Sequence, residues 1–269
     1  MKCTVYRLPN ADFNGQGLPT LFPYIAKESL SYAFDLAGGS LKDLTGKTAN
    51  LVPYRTTSAV GGGTRVIDPT VITQLDNAIK ITSGCLVSSV PFKPIPIDGT
   101  VQFSIMFIGG WDGSTIPEAA TAPYIATYLD IGNGVTANNA PMMQFNSSDK
   151  TLGARFKTGS SSNIGTVVSN VTRLYFMVLT YNGLEWTLHN KTLGTVVKKT
   201  NAELGQTAQI PVASGLVPLF HYIGHGHLSS TIAGLPVVVS QVANWNRVLS
   251  STEIETQYQM SKAQLNNVI

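Results

Sequence analysis

Charge is what this 269-residue sequence has least of. Only 12% of its residues are Asp, Glu, Lys or Arg, about half the ~25% of an average globular chain. The net charge is +3, and no Lys/Arg run exceeds the pair Lys198-Lys199. The basic footprint that nucleic acid demands is missing, so no such partner is expected. No apolar run approaches the ~18–20 residues that cross a bilayer as a helix, so membrane insertion is not expected either. The opening stretch MKCTVYRLPNADF lacks the apolar h-region of a secretory signal. Cysteine is nearly absent. Cys3 and Cys85 are available to pair, but two cysteines make no disulfide framework and no C-x-x-C occurs, so reduced thiols are expected. Helix-period segments of useful length are lacking before the last twenty residues, and no solenoid repeat is visible.

What is present is strand and turn chemistry. Hydrophobic residues are 43% of the chain, and Ser, Thr, Asn, Gln and Gly supply the polar remainder, as in turn-rich β proteins. At this length a β-sandwich is often one unit. VQFSIMFIGG places Val101, Phe103, Ile105 and Phe107 on one face by period two, and PYIATYLDI behaves similarly. LYFMVLTYNGLEWTLHN predicts a hairpin, with Asn182-Gly183 as a two-residue turn needing positive φ at both positions. Glycine-rich stretches at 61–63 and 109–113, with the Ser/Asn/Gly loop KTGSSSNIGT, separate further strands such as RVI, NAIKIT and TVVKKT.

The two ends of the chain differ from its middle. Residues 1–30 carry Pro9, Pro19 and Pro23 with Gly15 and Gly17, a spacing that defeats helices and interrupts strands. They form an expected extended arm preceding a sandwich over residues 31–269. Within the arm, Leu21, Phe22, Tyr24 and Ile25 need a surface to bury against, either the sandwich or another subunit, and a neighbouring subunit is the expectation. At the other end, LPVVVSQVANW reads as a strand running into a capped helix. Ser250 and Glu253 have the spacing of a capping box, and Leu249 and Ile254 that of a hydrophobic staple.

Four pieces in order carry a resemblance: SYAFDLAGGSLKDLTGKTANLV, TVQFSIMF, LYFMVLTYNGLEWTLHNKTLGTVV and AGLPVVVSQVANWNRVLSSTEI. Together they resemble the concanavalin A-like lectin/glucanase superfamily in its laminin G-like branch, of the kind found in phage tail and virion proteins. Arg247, Leu249, Ser250, Glu253 and Ile254 fit its Arg-x-Leu-Ser-x-x-Glu-Ile turn, and Asp43 and Gly46 its Asp-x-x-Gly turn. Trp186 falls where such domains carry a core aromatic. The resemblance implies an all-β fold, a two-sheet antiparallel jelly-roll sandwich with a short C-terminal helix.

That fold hosts lectins, glycosidases, lyases, adhesion modules and virion appendages, so function rests on sites. The Glu-x-Asp-x-x-Glu strand of the superfamily's glucanases, which sets paired carboxylates on one face, does not occur, and the six glutamates are scattered. An enzyme is not expected. For sugar binding, Trp111 lies between glycines beside Asp112, and Asp130 and Asn133 add oxygen donors, making these four the candidate glycan site. Packing under its own loop is the competing role for Trp111, while Trp245 is expected beneath the terminal helix. His221, His225 and His227 fall within seven residues as HYIGHGH. Such imidazoles suit zinc or iron, and the His-x-His pair resembles the rings of trimeric phage fibres, but no fourth ligand accompanies them. Asp112, Asp130 and Asn133 are the donors a rim calcium would use. No cofactor is expected outright, and both metals stay open.

The function expected is a non-enzymatic structural or adhesion protein of a bacteriophage-type particle, in a tail fibre, receptor-binding or decoration role. It would be made in the host cytoplasm, built into the virion among other subunits as a homo-oligomer, and directed to a cell-surface glycan. The alternative is a stand-alone carbohydrate-binding module or a glycan-degrading enzyme of the same superfamily.

Overall fold

A computed structural model describes residues 22–56, 65–82, 84–92, 98–111, 125–132, 141–146, 151–157, 161–167, 174–205, 219–224 and 236–269. The first strands are β1 (Leu30–Asp35), β2 (Val52–Thr56), β3 (Arg65–Ile67), β4 (Ile72–Gln74), β5 (Ile79–Ile81) and β6 (Gly84–Phe92). Then come β7 (Phe103–Trp111), β8 (Ile125–Gly132), β9 (Pro141–Asn146), β10 (Thr151–Lys157) and β11 (Ser161–Val167). The last are β12 (Tyr175–Tyr181), β13 (Glu185–Asn190), β14 (Thr195–Thr200), β15 (Leu219–Gly224) and β16 (Val237–Trp245), before the helix α1 (Ser251–Gln264). Every described pairing is antiparallel.

The strands form two sheets. Sheet A runs β14-β13-β12-β7-β16-β5-β4, with β1 also on β16, and sheet B runs β11-β10-β9-β8-β15-β6-β2-β3. Strand β16 serves two neighbours along one edge: Val237–Val239 pair with β5 and Gln241–Trp245 with β1. A bulge at Ser240 separates the two halves. The extra residue flips the side-chain alternation, so Val237, Val239 and then Val242 enter the core between the sheets. Gln241 bonds instead to Ser261 and Gln264 of α1 on the opposite face, and Ala243 and Trp245 join a second core there.

That second core lies under α1 and residues 22–29, so the middle of sheet A is covered on both faces. Strand β12 shows the consequence. Tyr175, Met177, Leu179 and Tyr181 fill the inter-sheet core, Phe176 and Val178 the second, and every residue is buried. This is why YFMVLTY lacks the apolar-polar alternation of a half-solvated strand. Each large apolar side chain taken from water stabilises by about 1.5–3 kcal/mol, and two cores draw that contribution from one strand.

Two sequence expectations on turns need correction. The hairpin of β12 and β13 exists, but its last ladder pair is Tyr181↔Trp186 and the three residues 182–184 connect the strands. Only Gly183 has positive φ, at 97°. Asn182 caps the loop through its side chain, whose Oδ1 accepts from the N–H groups of Leu184 at 2.9 Å and Glu185 at 2.7 Å. This is an Asx turn in place of a two-residue one. KTGSSSNIGT is largely strand: β11 takes up Ser161–Val167 in unbroken register with β10. As an edge strand it contributes one buried apolar side chain, Ile164, to the inter-sheet core, so its remaining polarity mimics a loop.

The N-terminal segment is also corrected. Tyr24 is 4% exposed, its ring set edge-on to Trp245 at 6.3 Å between centroids, and its hydroxyl donates to the Phe34 carbonyl at 2.6 Å. Phe22 and Ile25 pack against the same second core. These three side chains are taken up by the chain's own sandwich rather than by a neighbouring subunit, because the open face of sheet A beside α1 lies within their reach. Leu21 lies outside the described residues.

Candidate functional site

One end of the sandwich gathers the strand termini that carry the sequence candidates. Trp111 is the last residue of β7 and opposes Val237, the first of β16. Val237 in turn opposes Ile81, the last of β5. From Ile81 the chain crosses to sheet B, where Gly84 begins β6. Gly224, the last residue of β15, closes the ring: a Cβ on it would lie 3.1 Å from the Gly84 carbonyl oxygen and 3.2 Å from the Ile81 side chain. Its φ of 88° is open to glycine and disfavoured for other residues. Trp111 and Gly224 therefore share one rim, with His225 and His227 following in sequence.

The sequence builds that rim tightly. A Cβ on Gly84 would sit 2.3 Å from the Tyr54 carbonyl, and one on Gly109 would enter the Phe107 ring. Gly109 thus serves close packing within β7 rather than a loop. Across the strand, Ser240 anchors the bulge of β16 by donating to the Asn77 carbonyl at 2.5 Å.

The other candidates are distributed along β8 and β15. Asp130 opposes Tyr222, and His221 opposes Ile131, so the two occupy successive rather than equivalent ladder positions. Asp130 lies inward from the Gly224 level, and β8 runs on away from that rim to end at Gly132. The backbone brings Trp111 near the start of the His225 segment and does not bring Asp130 to Trp111. Asp112, Asn133, His225 and His227 lie outside the described residues. Among the described residues, no three His, Cys, Asp or Glu side chains converge as a metal site would need.

The carboxylates held most firmly are structural. Burial would raise the Asp43 carboxyl, but hydrogen bonds from the Thr45 hydroxyl and the N–H groups of Ala33, Thr48 and Thr45 outweigh it and lower its pKa. Asp43 thereby ties the Asp-x-x-Gly turn, with Gly46 at φ 68°, to β1. Glu253 is held down to about 2, first by its hydrogen bond from Arg247 and then by the Ser250 N–H. His189 is shifted down by burial and by Lys191 and Lys198, each engaged with a carboxylate, Glu255 and Glu185 respectively.

Sequence reasoning missed two polar residues that organise the packing. Asn201 accepts from Trp186 Nε1 at 2.9 Å and donates to the Tyr181 hydroxyl at 3.1 Å. Gln257 accepts from the Ile25 N–H and donates to the Pro23 carbonyl, both at 2.9 Å. Each looks like an ordinary surface amide, and no sequence pattern marks it.

Neither a family model nor a curated protein matches the sequence. Solved structures share the fold. The binding domain of Paraclostridial Mosquitocidal Protein 1 aligns with a TM-score of 0.58 at 13% identity, over 86% of this chain and 52% of that one. The botulinum neurotoxin serotype D ligand binding domain in complex with N-acetylneuraminic acid gives 0.56 at 10% identity, over 87% and 51%. A Trypanosoma rangeli sialidase in complex with 2,3-difluorosialic acid gives 0.54 at 16% identity, over 98% and 37%. The chain spans about half the length of the toxin domains that it matches. At such identities the likeness establishes the architecture alone, and the chain is a two-sheet antiparallel β-sandwich.

Proposed function

We propose that this chain is a non-enzymatic adhesion module that recognises a glycan at the Trp111 rim and serves as a structural or receptor-binding component of a bacteriophage-type particle. The observation that carries the recognition part is the distribution of free surface. Among the described residues, the inner faces of both sheets are core, and the middle of the outer face of sheet A is occupied by α1 and residues 22–29. The ends of the sandwich, the outer face of sheet B and the β14 margin of sheet A are left for a ligand, and Trp111 supplies an aromatic residue at one end. Indole faces stack on pyranose rings, which suits a sugar ligand. Sialylated glycans are the first to try, since a neurotoxin ligand binding domain in complex with N-acetylneuraminic acid and a sialidase in complex with 2,3-difluorosialic acid align with this chain over 51% and 37% of their own lengths. The particle part is supported by the low charge and by the resemblance of the sequence to laminin G-like domains of virion proteins.

The test is a glycan array followed by calorimetry on wild type and Trp111→Ala. The expected result is binding without release of free sugar, weakened at least ~10-fold by the substitution, which corresponds to about 1.4 kcal/mol, at an unchanged melting temperature. Binding indifferent to Trp111 overturns the site, and release of sugar overturns the non-enzymatic assignment. Antibody labelling of particles from producing cells tests the particle assignment, and label confined to free protein sinks it.

A further inference from the structure

The segment Phe22–Ile25 is held by the far end of the chain. Gln257 of α1 takes the Ile25 N–H and the Pro23 carbonyl through its two amide atoms, and Trp245 Nε1 donates to the Ile25 carbonyl at 3.0 Å. These bonds join residues 220 to 234 positions apart. Gln257 thus bonds the backbone on both sides of Tyr24, while Tyr24 fills the space against Trp245. Behind Gln257 the polar seam is complete: its Nε2 also donates to Ser261 Oγ at 3.1 Å, and Ser261 donates to Gln241 at 2.7 Å. The groove between β16 and α1 holds a short apolar strap through these bonds.

Between the strap and β1 stands Ala26, with φ 49° and ψ 47°. A residue bearing a Cβ pays strain in this left-handed conformation. It is fixed there by Ser29, whose N–H and hydroxyl both donate to the Ala26 carbonyl at 3.0 Å. The reversal at Ala26 is what folds the strap back onto its own sandwich.

We infer that Phe22–Ile25 is an exchangeable strap, and that two copies of this chain swap it, each copy's Tyr24 filling the groove between β16 and α1 of the other. Every strap contact is re-formed in the exchanged dimer, because the groove reads backbone and shape and is indifferent to which molecule supplies them. Ala26, freed from turning the chain back, leaves the left-handed region, and that relief belongs to the dimer alone. Withdrawal without exchange uncovers Tyr24 and Trp245, so the closed monomer and the exchanged dimer are the two populated states. Exchange of an identical element between two copies is a low-cost route to a symmetric dimer. The inference does not rest on glycan binding.

The experiment compares the full chain as wild type, Ala26→Gly and Ala26→Val by size exclusion with light scattering, from micromolar to near-millimolar concentration. Glycine removes the strain of the closed hinge and valine increases it. The expected dimer fraction rises with concentration, is several-fold larger in Ala26→Val and several-fold smaller in Ala26→Gly. Monomers only at every concentration overturn the inference, as does a dimer fraction insensitive to both substitutions, which marks association through another surface. If Ala26→Val fails to fold, the glycine variant decides: a dimer fraction equal to or above that of wild type overturns the exchange.

Discussion

Ser250 and Glu253 bond each other in both directions. The Ser250 hydroxyl accepts from the Glu253 N–H at 3.3 Å, and the Glu253 carboxylate accepts from the Ser250 N–H at 2.8 Å. Arg247 donates to the same carboxylate from Nη1 at 3.0 Å and from Nη2. One glutamate therefore fixes both the start of α1 and the turn leading out of β16. The helix it starts closes the second core.

Removing the cap and removing the docking residue have separable costs. Ser250→Ala is expected to cost about 1 kcal/mol. Ile254→Ala is expected to cost ~2–4 kcal/mol, because Ile254 is 1% exposed. Urea denaturation measures both, and two unchanged midpoints would dissolve the account of how α1 is held.

The same glutamate gives a pH dependence of fixed sign. Its folded pKa of about 2 lies below the ordinary 4.5, so its contribution is fully present above about 4.5 and is lost as pH falls from there towards 2. Asp43, also lowered, acts in the same direction. Wild type is expected to melt above Glu253→Gln at neutral pH, with the gap closing across that window. A gap that stays constant between neutral pH and pH 2 contradicts this.

Asn201 is the hinge of a buried aromatic network. Asn201→Leu leaves the indole N–H of Trp186 without its acceptor and the Tyr181 hydroxyl without one donor, beneath rings stacked at 4.2 Å. The expected loss is ~1–3 kcal/mol, accompanied by a shift in tryptophan emission. Stability at wild-type level would mean that the network contributes no more than the leucine's own packing.

Two glycines with similar backbone demands separate strain from crowding. At Gly194, φ is 68° and nothing lies within 4 Å of an added Cβ, whereas at Gly183, φ is 97° and a Cβ would lie 2.3 Å from the Gly99 Cα. Gly194→Ala should cost ~1–2 kcal/mol from conformation alone, and Gly183→Ala clearly more. Equal losses in thermal unfolding would show that the Gly99 contact yields without penalty.

The features legible in the sequence are those whose physics is local. Ser250, Glu253, Leu249 and Ile254 announce a helix start because a cap is satisfied within four residues, whatever lies beyond. Strands β7, β12 and β16 announce themselves through β-branched and aromatic density, and the two-sheet architecture follows from having many such strands and one helix. Tertiary structure decided what depends on partners distant in sequence. Position 183 has no room for a side chain because Gly99 lies against it, and Ser161–Val167 becomes a strand because β10 offers an unpaired edge. Tyr24 and Ile25 enter their own sandwich because Trp245 and Gln257, more than two hundred residues away, present an indole and an amide where a strap fits. Trp111 and Gly224 meet at one rim because Val237 and Ile81 join them across two sheets, while Asp130 stays within its ladder because strand register carries it away. A chain pattern states which groups seek burial or a hydrogen bond. Which surface answers them is fixed only when the sheets close.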